Sequence, residues 1–257
     1  MKKIGLGFRR SAYNHCAPLY DIIFRDLKVA ALEKTIKEAK VGDVTKARME
    51  NMFSMMYRWA IKHEITNKNY GELCAPIGTI KPTVAKTPFS QEEINKLWDH
   101  VADIQYVDMI LIEIYSGWRP AELTGLKITD VDLENYYMMG GIKTASGKYR
   151  IVPIHDRIFN LIQSRYTKEN EYLFVNKDGR YINYDYYYKQ FKKAMKTLEM
   201  NHSPHETRHT FITNAKAPGL DEYCLKLIVG HEIDDIPEKV YTHRKIEQLR
   251  QEINRIP

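Results

Sequence analysis

Apolar residues recur at helical spacing through residues 45–65, "TKARMENMFSMMYRWAIKHEI", where Met49, Met52, Phe53, Met56, Trp59 and Ala60 form one stripe. The stripe predicts a helix with a Met and aromatic core face, and Lys46, Arg48, Arg58 and Lys62 lie between its members. Over residues 69–88 the period is lost, and three prolines with two glycines predict a linker or an extended crossing. A second region then starts cleanly. Ser90 and Glu93 read as a capping box that opens a helix over "QEEINKLWDHV". "YVDMILIEIYSG" is apolar nearly all round, which predicts a buried helix stopped by Gly117. "LENYYMMGGIKTASGKYRIVPIHD" alternates and turns on glycine, as a strand pair does. Helical patterns resume around residues 157–166 and 184–200 and dominate to the end. The expected fold is mostly α with a small antiparallel β-sheet: a helical domain over 1–70, a linker over 71–88, and a mixed α+β domain over 89–257.

Composition narrows the class. Apolar residues at 44% and charged ones at 28% describe a soluble globular chain rather than a disordered one. No run approaches the ~18 apolar residues of a membrane span, and the basic N-terminus lacks a signal-peptide core. Cys16, Cys74 and Cys224 are too scattered for a disulfide framework or a C-x-x-C site, so a cytoplasmic protein with reduced thiols is expected. Residues 1–86 carry 16 Lys and Arg against 8 Asp and Glu, a net of +8, whereas residues 87–257 carry 23 against 25, a net of −2. So uneven a division points to a polyanionic partner for the first third.

The stretch "SPHETRHTF", residues 203–211, holds two incompatible motifs. His205, Glu206 and His209 match the H-E-x-x-H of a zinc hydrolase. His205 and Arg208 match a phosphate grip. The longer zinc signature fails, because Ile212 and Ala215 stand where Gly and His belong. Pro204 fits the first turn of a helix with Ser203 as N-cap, and Ser203 with Glu206 then makes a second capping box. Local structure thus gives Glu206 a backbone task and sets His205 and Arg208 where amides and the helix dipole favour an anion. Further cationic and polar groups follow the phosphate reading: Arg119 with Glu122 in "SGWRPAELTGL", Lys143 at the glycine-rich end of a strand, His231 after the Gly230 stop in "LIVGHEI", and Tyr241 ten residues on.

R-x-x-E, K-T on a hairpin, H-x-x-R-H-T, G-H and Y-T-H, in this order, closely resemble the tyrosine recombinase family, in particular the phage and transposon integrases. "PFSQEEINKLW", "LKITDVDLEN", "GIKTASGKYRIVPI" and "HETRHTFITNA" look like integrase segments as well, so the resemblance covers nearly the whole chain. It implies a helical core-binding clamp over 1–70 and a tyrosine-recombinase catalytic domain over 89–257. No segment corresponds to the arm-binding domain of longer integrases, and three helical stretches precede the linker where four are usual. A short or truncated clamp is therefore expected.

The resemblance implies catalysis by Arg119, Lys143, His205, Arg208, His231 and the nucleophile Tyr241, with Glu122 in support, and needs no metal or cofactor. Two guanidiniums can stabilise charge on a phosphodiester in forked hydrogen bonds. Lys143 would protonate the departing 5′ oxygen and Tyr241 would form a 3′-phosphotyrosyl bond. The implied partners are double-stranded DNA attachment sites, further copies of the chain forming a tetramer on DNA, and DNA-bending accessory proteins. The implied location is the nucleoid in the cytoplasm of a bacterial host. The C-terminal "RKIEQLRQEINRI" puts Ile246, Leu249 and Ile253 on one face, for docking on its own domain or on a neighbouring protomer. A zinc hydrolase using HETRH and a DNA-binding relative without chemistry remain alternative readings.

Overall fold

The structure, a computed structural model, describes residues 10–78, 86–141, 149–231 and 246–257. The chain divides into two compact units, Met1–Val84 and Ala85–Pro257, each with a hydrophobic core of its own.

In the first unit, helices α1 (Val29–Glu38) and α2 (Asp43–Lys62) pack about Leu32, Ile36, Met49, Phe53 and Tyr57. The Tyr57 hydroxyl, itself buried, donates to the Leu27 carbonyl at 3.0 Å. The expected core face of α2 is correct for Met49, Met52, Phe53 and Ala60 but not for Met56 and Trp59, which are exposed. The apolar arc is wider than the facing helix covers. Its open side, Met52, Met55, Met56 and Trp59 with Phe24 and Ile65, lines a groove of about 480 Å³. Gly71 and Glu72, at the start of the expected linker, lie against α2, where Glu72 takes Ser54 Oγ and Arg58 Nε. Cys74 is buried, and a side-chain carbon on Gly71 would come within 2.3 Å of the Ser54 nitrogen.

In the second unit, the Ser90–Glu93 capping box opens α3 (Gln91–Asp99), with the Glu93 amide 3.2 Å from Ser90 Oγ and the Ser90 amide 2.8 Å from Glu93 Oε2. Helix α4 (Val107–Ser116) is buried at every position but Asp108, as its unbroken apolar sequence requires. It stops at Gly117, whose φ is +66°. A side chain at Gly117 is excluded twice: that φ disfavours it, and its Cβ would stand 2.4 Å from the Phe211 ring. The short α5 (Pro120–Leu123) leads to an antiparallel sheet in the order β1 (Val131–Asp132), β2 (Tyr137–Gly140), β3 (Arg150–Pro153), so a third short strand joins the expected pair. Met138 is paired with Val131 on one side and Val152 on the other.

The remaining helices are α6 (Asp156–Arg165), α7 (Tyr184–Thr197), α8 (Pro204–Lys216), α9 (Glu222–Val229) and α10 (Ile246–Ile253). They pack mainly on α4 and β3, and α4 makes its largest interface with α8. Leu249, Ile253 and Ile256 enter the core, Arg250 pairs with Asp156 at 2.7 Å, and His155 Nε2 meets the Ile256 carbonyl at 3.0 Å. The C-terminal helix therefore docks on its own unit in this structure. Among the described residues no helix is long and apolar enough to cross a membrane.

Candidate active site

Helix α8 begins as its sequence predicts, with Ser203 as N-cap, Pro204 in the first turn and the Ser203–Glu206 capping box formed. Glu206 is committed to that cap. Its Oε2 accepts from the Ser203 amide and its Oε1 from the Thr87 amide at 3.1 Å. Burial alone would raise its pKa, yet these amides hold it below the ordinary carboxylate value. A zinc-hydrolase base would need this carboxylate free to face a bound water, and here both oxygens serve backbone. Among the described residues, no three His, Cys, Asp or Glu side chains group as metal ligands.

Arg208 is 7% exposed, and two main-chain carbonyls hold it: Gly117 at 2.7 Å from Nη1 and Val229 at 2.6 Å from Nη2. Both carbonyls lie at helix C-termini, where acceptors lack intrahelical partners and the dipole is negative. α9 ends as the Gly230 signal predicts, with φ +66° at that glycine and the His231 amide closing on the Lys226 carbonyl at 3.0 Å. Its Ile228 carbonyl receives a second guanidinium, from Arg150 Nε at 2.9 Å.

Arg119 is the N-cap of α5, and its Nη1 lies 3.1 Å from Glu122 Oε1. Glu122 Oε2 in turn takes Arg150 Nη2 at 2.9 Å. One carboxylate is thus shared between a guanidinium that still reaches solvent, Arg119 at 16% exposure, and one that is sealed, Arg150 at 3%. Arg150 also stacks on the Trp118 ring at 4.1 Å.

The three guanidiniums feel one another. Burial, then Arg119 and Arg150, press Arg208 down to about 9, and Glu122 only partly offsets them. Partial burial, then Arg208, Arg119 and Arg150, hold His231 below its ordinary value, which keeps that imidazole neutral at pH 7. Guanidiniums stay charged at neutral pH. Among the described residues the site therefore has three guanidiniums to the one carboxylate of Glu122, an arrangement suited to an anion.

Four of the residues expected from sequence, Arg119, Glu122, Arg208 and His231, come together here. His205 is exposed in the first turn of α8, three residues before Arg208 and so on the same helix face. Lys143 and Tyr241 lie outside the described residues. Sequence reasoning missed Arg150. The available signal was period-two alternation: Arg150 and Val152 face the same way from β3, so a charged residue stood on a core-facing strand position.

A model of the phage integrase family matches residues 88–248. The chain belongs to the phage integrase family. This integrase is 26% identical over 226 residues to a tyrosine recombinase XerC from Natranaerobius thermophilus, covering 81% of this chain and 74% of that protein. A tyrosine recombinase XerA from Pyrococcus horikoshii is 30% identical over 176 residues, covering 65% of this chain and 60% of the relative. The integrase also shares its fold with a Tn1549 transposon integrase solved with transposon right end DNA, at TM-score 0.73 and 21% identity, covering 100% of this chain and 94% of that one. A lambda integrase tetramer bound to a Holliday junction matches at TM-score 0.73 and 14% identity, over 96% of this chain and 75% of that one. The family consists of tyrosine recombinases, which are DNA strand transferases.

Proposed function

We propose that this integrase cleaves and rejoins DNA at a specific site through a covalent 3′-phosphotyrosine formed by Tyr241. The observation that supports it most is the electrostatic one: among the described residues, Arg119, Arg208 and the sealed Arg150 face the one carboxylate of Glu122 beside His231. A scissile phosphate supplies the missing negative charge. Arg119 and Arg208 then donate to its non-bridging oxygens as charge builds in the transition state. His231 and His205 add hydrogen bonds, and His205 helps accept the phenolic proton. Tyr241 displaces the 5′ oxygen from phosphorus, and Lys143 gives that oxygen its proton. A 5′-hydroxyl from another strand reverses the step without ATP, because the phosphotyrosyl ester keeps the energy of the broken bond.

In this reading residues 1–70 are the DNA clamp, 71–88 the connection, and 89–257 the catalytic domain. Four copies exchange strands pairwise on two duplexes, as the tetrameric lambda neighbour suggests, and DNA-bending accessory proteins assist assembly. The task we assign is integration and excision of a phage or mobile element in a bacterial cytoplasm. The fold shared with a transposon integrase over 94% of that chain supports it. The Xer relatives favour a second task for the same chemistry, resolution of chromosome dimers.

The test is incubation with nicked duplexes carrying candidate element ends, followed by a denaturing gel. A protein–DNA adduct is expected, also in excess chelator, and Tyr241→Phe should abolish it while mobility shifts remain. An adduct that persists in that variant would move the nucleophile to the tyrosines of "INYDYYYKQF".

A further inference from the structure

A carboxyl group lies at the centre of the unit, on α4 (Val107–Ser116), with no solvent exposure: Glu113. Its Oε2 stands 3.0 Å from Thr207 Oγ1 on α8 (Pro204–Lys216), and the same Oγ1 stands 2.7 Å from the Pro204 carbonyl oxygen. A threonine hydroxyl has one proton to give. The carbonyl oxygen can only accept, and it is the nearer of the two, so the threonine proton goes there. The contact between Oε2 and Oγ1 then lacks a proton unless the carboxyl carries one.

The other side of the group agrees. Among the described residues, Glu113 Oε1 and the Tyr187 hydroxyl are both buried without a hydrogen-bond partner at normal distance, and the two interact with each other. A phenol as neighbour can donate to Oε1 of a carboxyl whose own proton is on Oε2, and it brings no charge that would stabilise a carboxylate. The groups that face Glu113 are Thr207 from α8 and Tyr184 and Tyr187 from α7 (Tyr184–Thr197), with Asp108 acting on Tyr187 from α4 itself. None of these is a cation. An ionised carboxylate here would be a buried charge without a counter-ion, which folded proteins avoid by keeping the proton. Burial pushes Glu113 well above the ordinary carboxylate value and Tyr187 well above that of a phenol.

Thr207 precedes Arg208 directly and follows His205 by two residues. It therefore sits inside the turn that carries both site groups. Four residues along α4 from Glu113, the Gly117 carbonyl takes the Arg208 guanidinium. The same helix thus grips this turn at two points, by a main-chain carbonyl and by a side-chain acid. We propose that Glu113 is held as a neutral carboxylic acid, and that the hydrogen bond it donates to Thr207 positions the first turns of α8, and with them His205 and Arg208. The positioning half rests on the reading of those two as phosphate-binding groups; the protonation half does not. Glu113 touches no reacting atom, so it is a positioning residue.

Two measurements on the full chain test the two halves. The first compares unfolding of the wild type and Glu113→Gln from pH 5 to 9. A group with a raised folded pKa loses stability as pH rises from its unfolded value through its folded one. The unfolding constants should therefore diverge in favour of the Gln variant, about tenfold per pH unit, until the folded pKa is passed. Parallel curves would overturn the neutral acid. The second is the affinity for inorganic phosphate by calorimetry, a probe that needs no attachment site. Glu113→Gln keeps a donor and should bind phosphate as the wild type does. Glu113→Met loses the donor and Thr207→Val the acceptor, and each should bind at least fivefold more weakly. Equal affinities in all four proteins would overturn the positioning role; if Glu113→Met does not fold, Thr207→Val decides. A wild type that binds no phosphate would overturn the site reading and this role with it, and the pH comparison would still decide the protonation.

Discussion

Arg208 shows two demands on one side chain. The Gly117 and Val229 carbonyls fix the guanidinium, and in the reaction we propose the remaining donors serve the phosphate. Lysine cannot divide itself in that way, because its donors share one nitrogen. Arg208→Lys should fold yet cleave roughly 10²–10³-fold more slowly, the scale seen when one transition-state donor is lost. Single-turnover adduct formation measures it. Glu122 has the opposite character, since its removal endangers the fold. Glu122→Gln removes the carboxylate charge 2.9 Å from the buried Arg150 guanidinium and should destabilise the protein in denaturant unfolding, by up to about 3–5 kcal/mol. Adding Arg150→Met should recover part of that loss, while a double variant no better than the single one would mean that the other contacts of Arg150, Ile228 and Trp118 among them, suffice to hold it. The role of Lys143 can be isolated chemically. With sulfur in place of the 5′ bridging oxygen the leaving group needs no proton, so Lys143→Ala should recover most of its rate, whereas Arg208→Lys should not.

Gly117 is the element-scale counterpart of these side chains, because it ends α4 and places Arg119 two residues on. Gly117→Ala meets both a left-handed φ and the Phe211 ring, and should lower the melting temperature by several degrees, on the order of 1–3 kcal/mol. Trimming the ring with Phe211→Leu in that background should relieve the packing share and leave the backbone share. This position was legible in sequence, as were the capping boxes at Ser90 and Ser203 and the stop at Gly230, because each is set by residues within a few positions of itself. Non-local features were not. Met56 and Trp59 lie on the apolar arc of α2 and stay exposed because the facing helix is too narrow to cover them, which nothing in α2 records. Arg150 and Glu113 find their partners from 28 and 94 residues away, so a local pattern could mark them as odd but could not say what they bind.

At the scale of the molecule, charge and core divide in different ways. Each unit closes a core of its own, yet only the first carries the excess of Lys and Arg, +8 over residues 1–86 against −2 over the rest. The affinity for DNA should therefore fall steeply with salt in the full chain. Residues 85–257 alone should bind more weakly, with a slope of log affinity against log salt shallower by about 1 for each phosphate that is no longer neutralised. Filter binding or fluorescence anisotropy across a salt series checks it. An unchanged slope would mean that the second unit does the holding.

The arginine at the centre of the site is tied down by peptide oxygens, which has a consequence for heredity. A carboxylate anchor can vanish through a single base change; a main-chain carbonyl cannot. The side chain of Val229 takes no part in that hold, so Arg208 stays fixed as long as both helices keep ending where they do. The vulnerability is concentrated in the two glycines that end them, Gly117 and Gly230, neither of which has a functional side chain. Variants that silence this protein should accordingly gather at positions without a functional group as well as at those that have one.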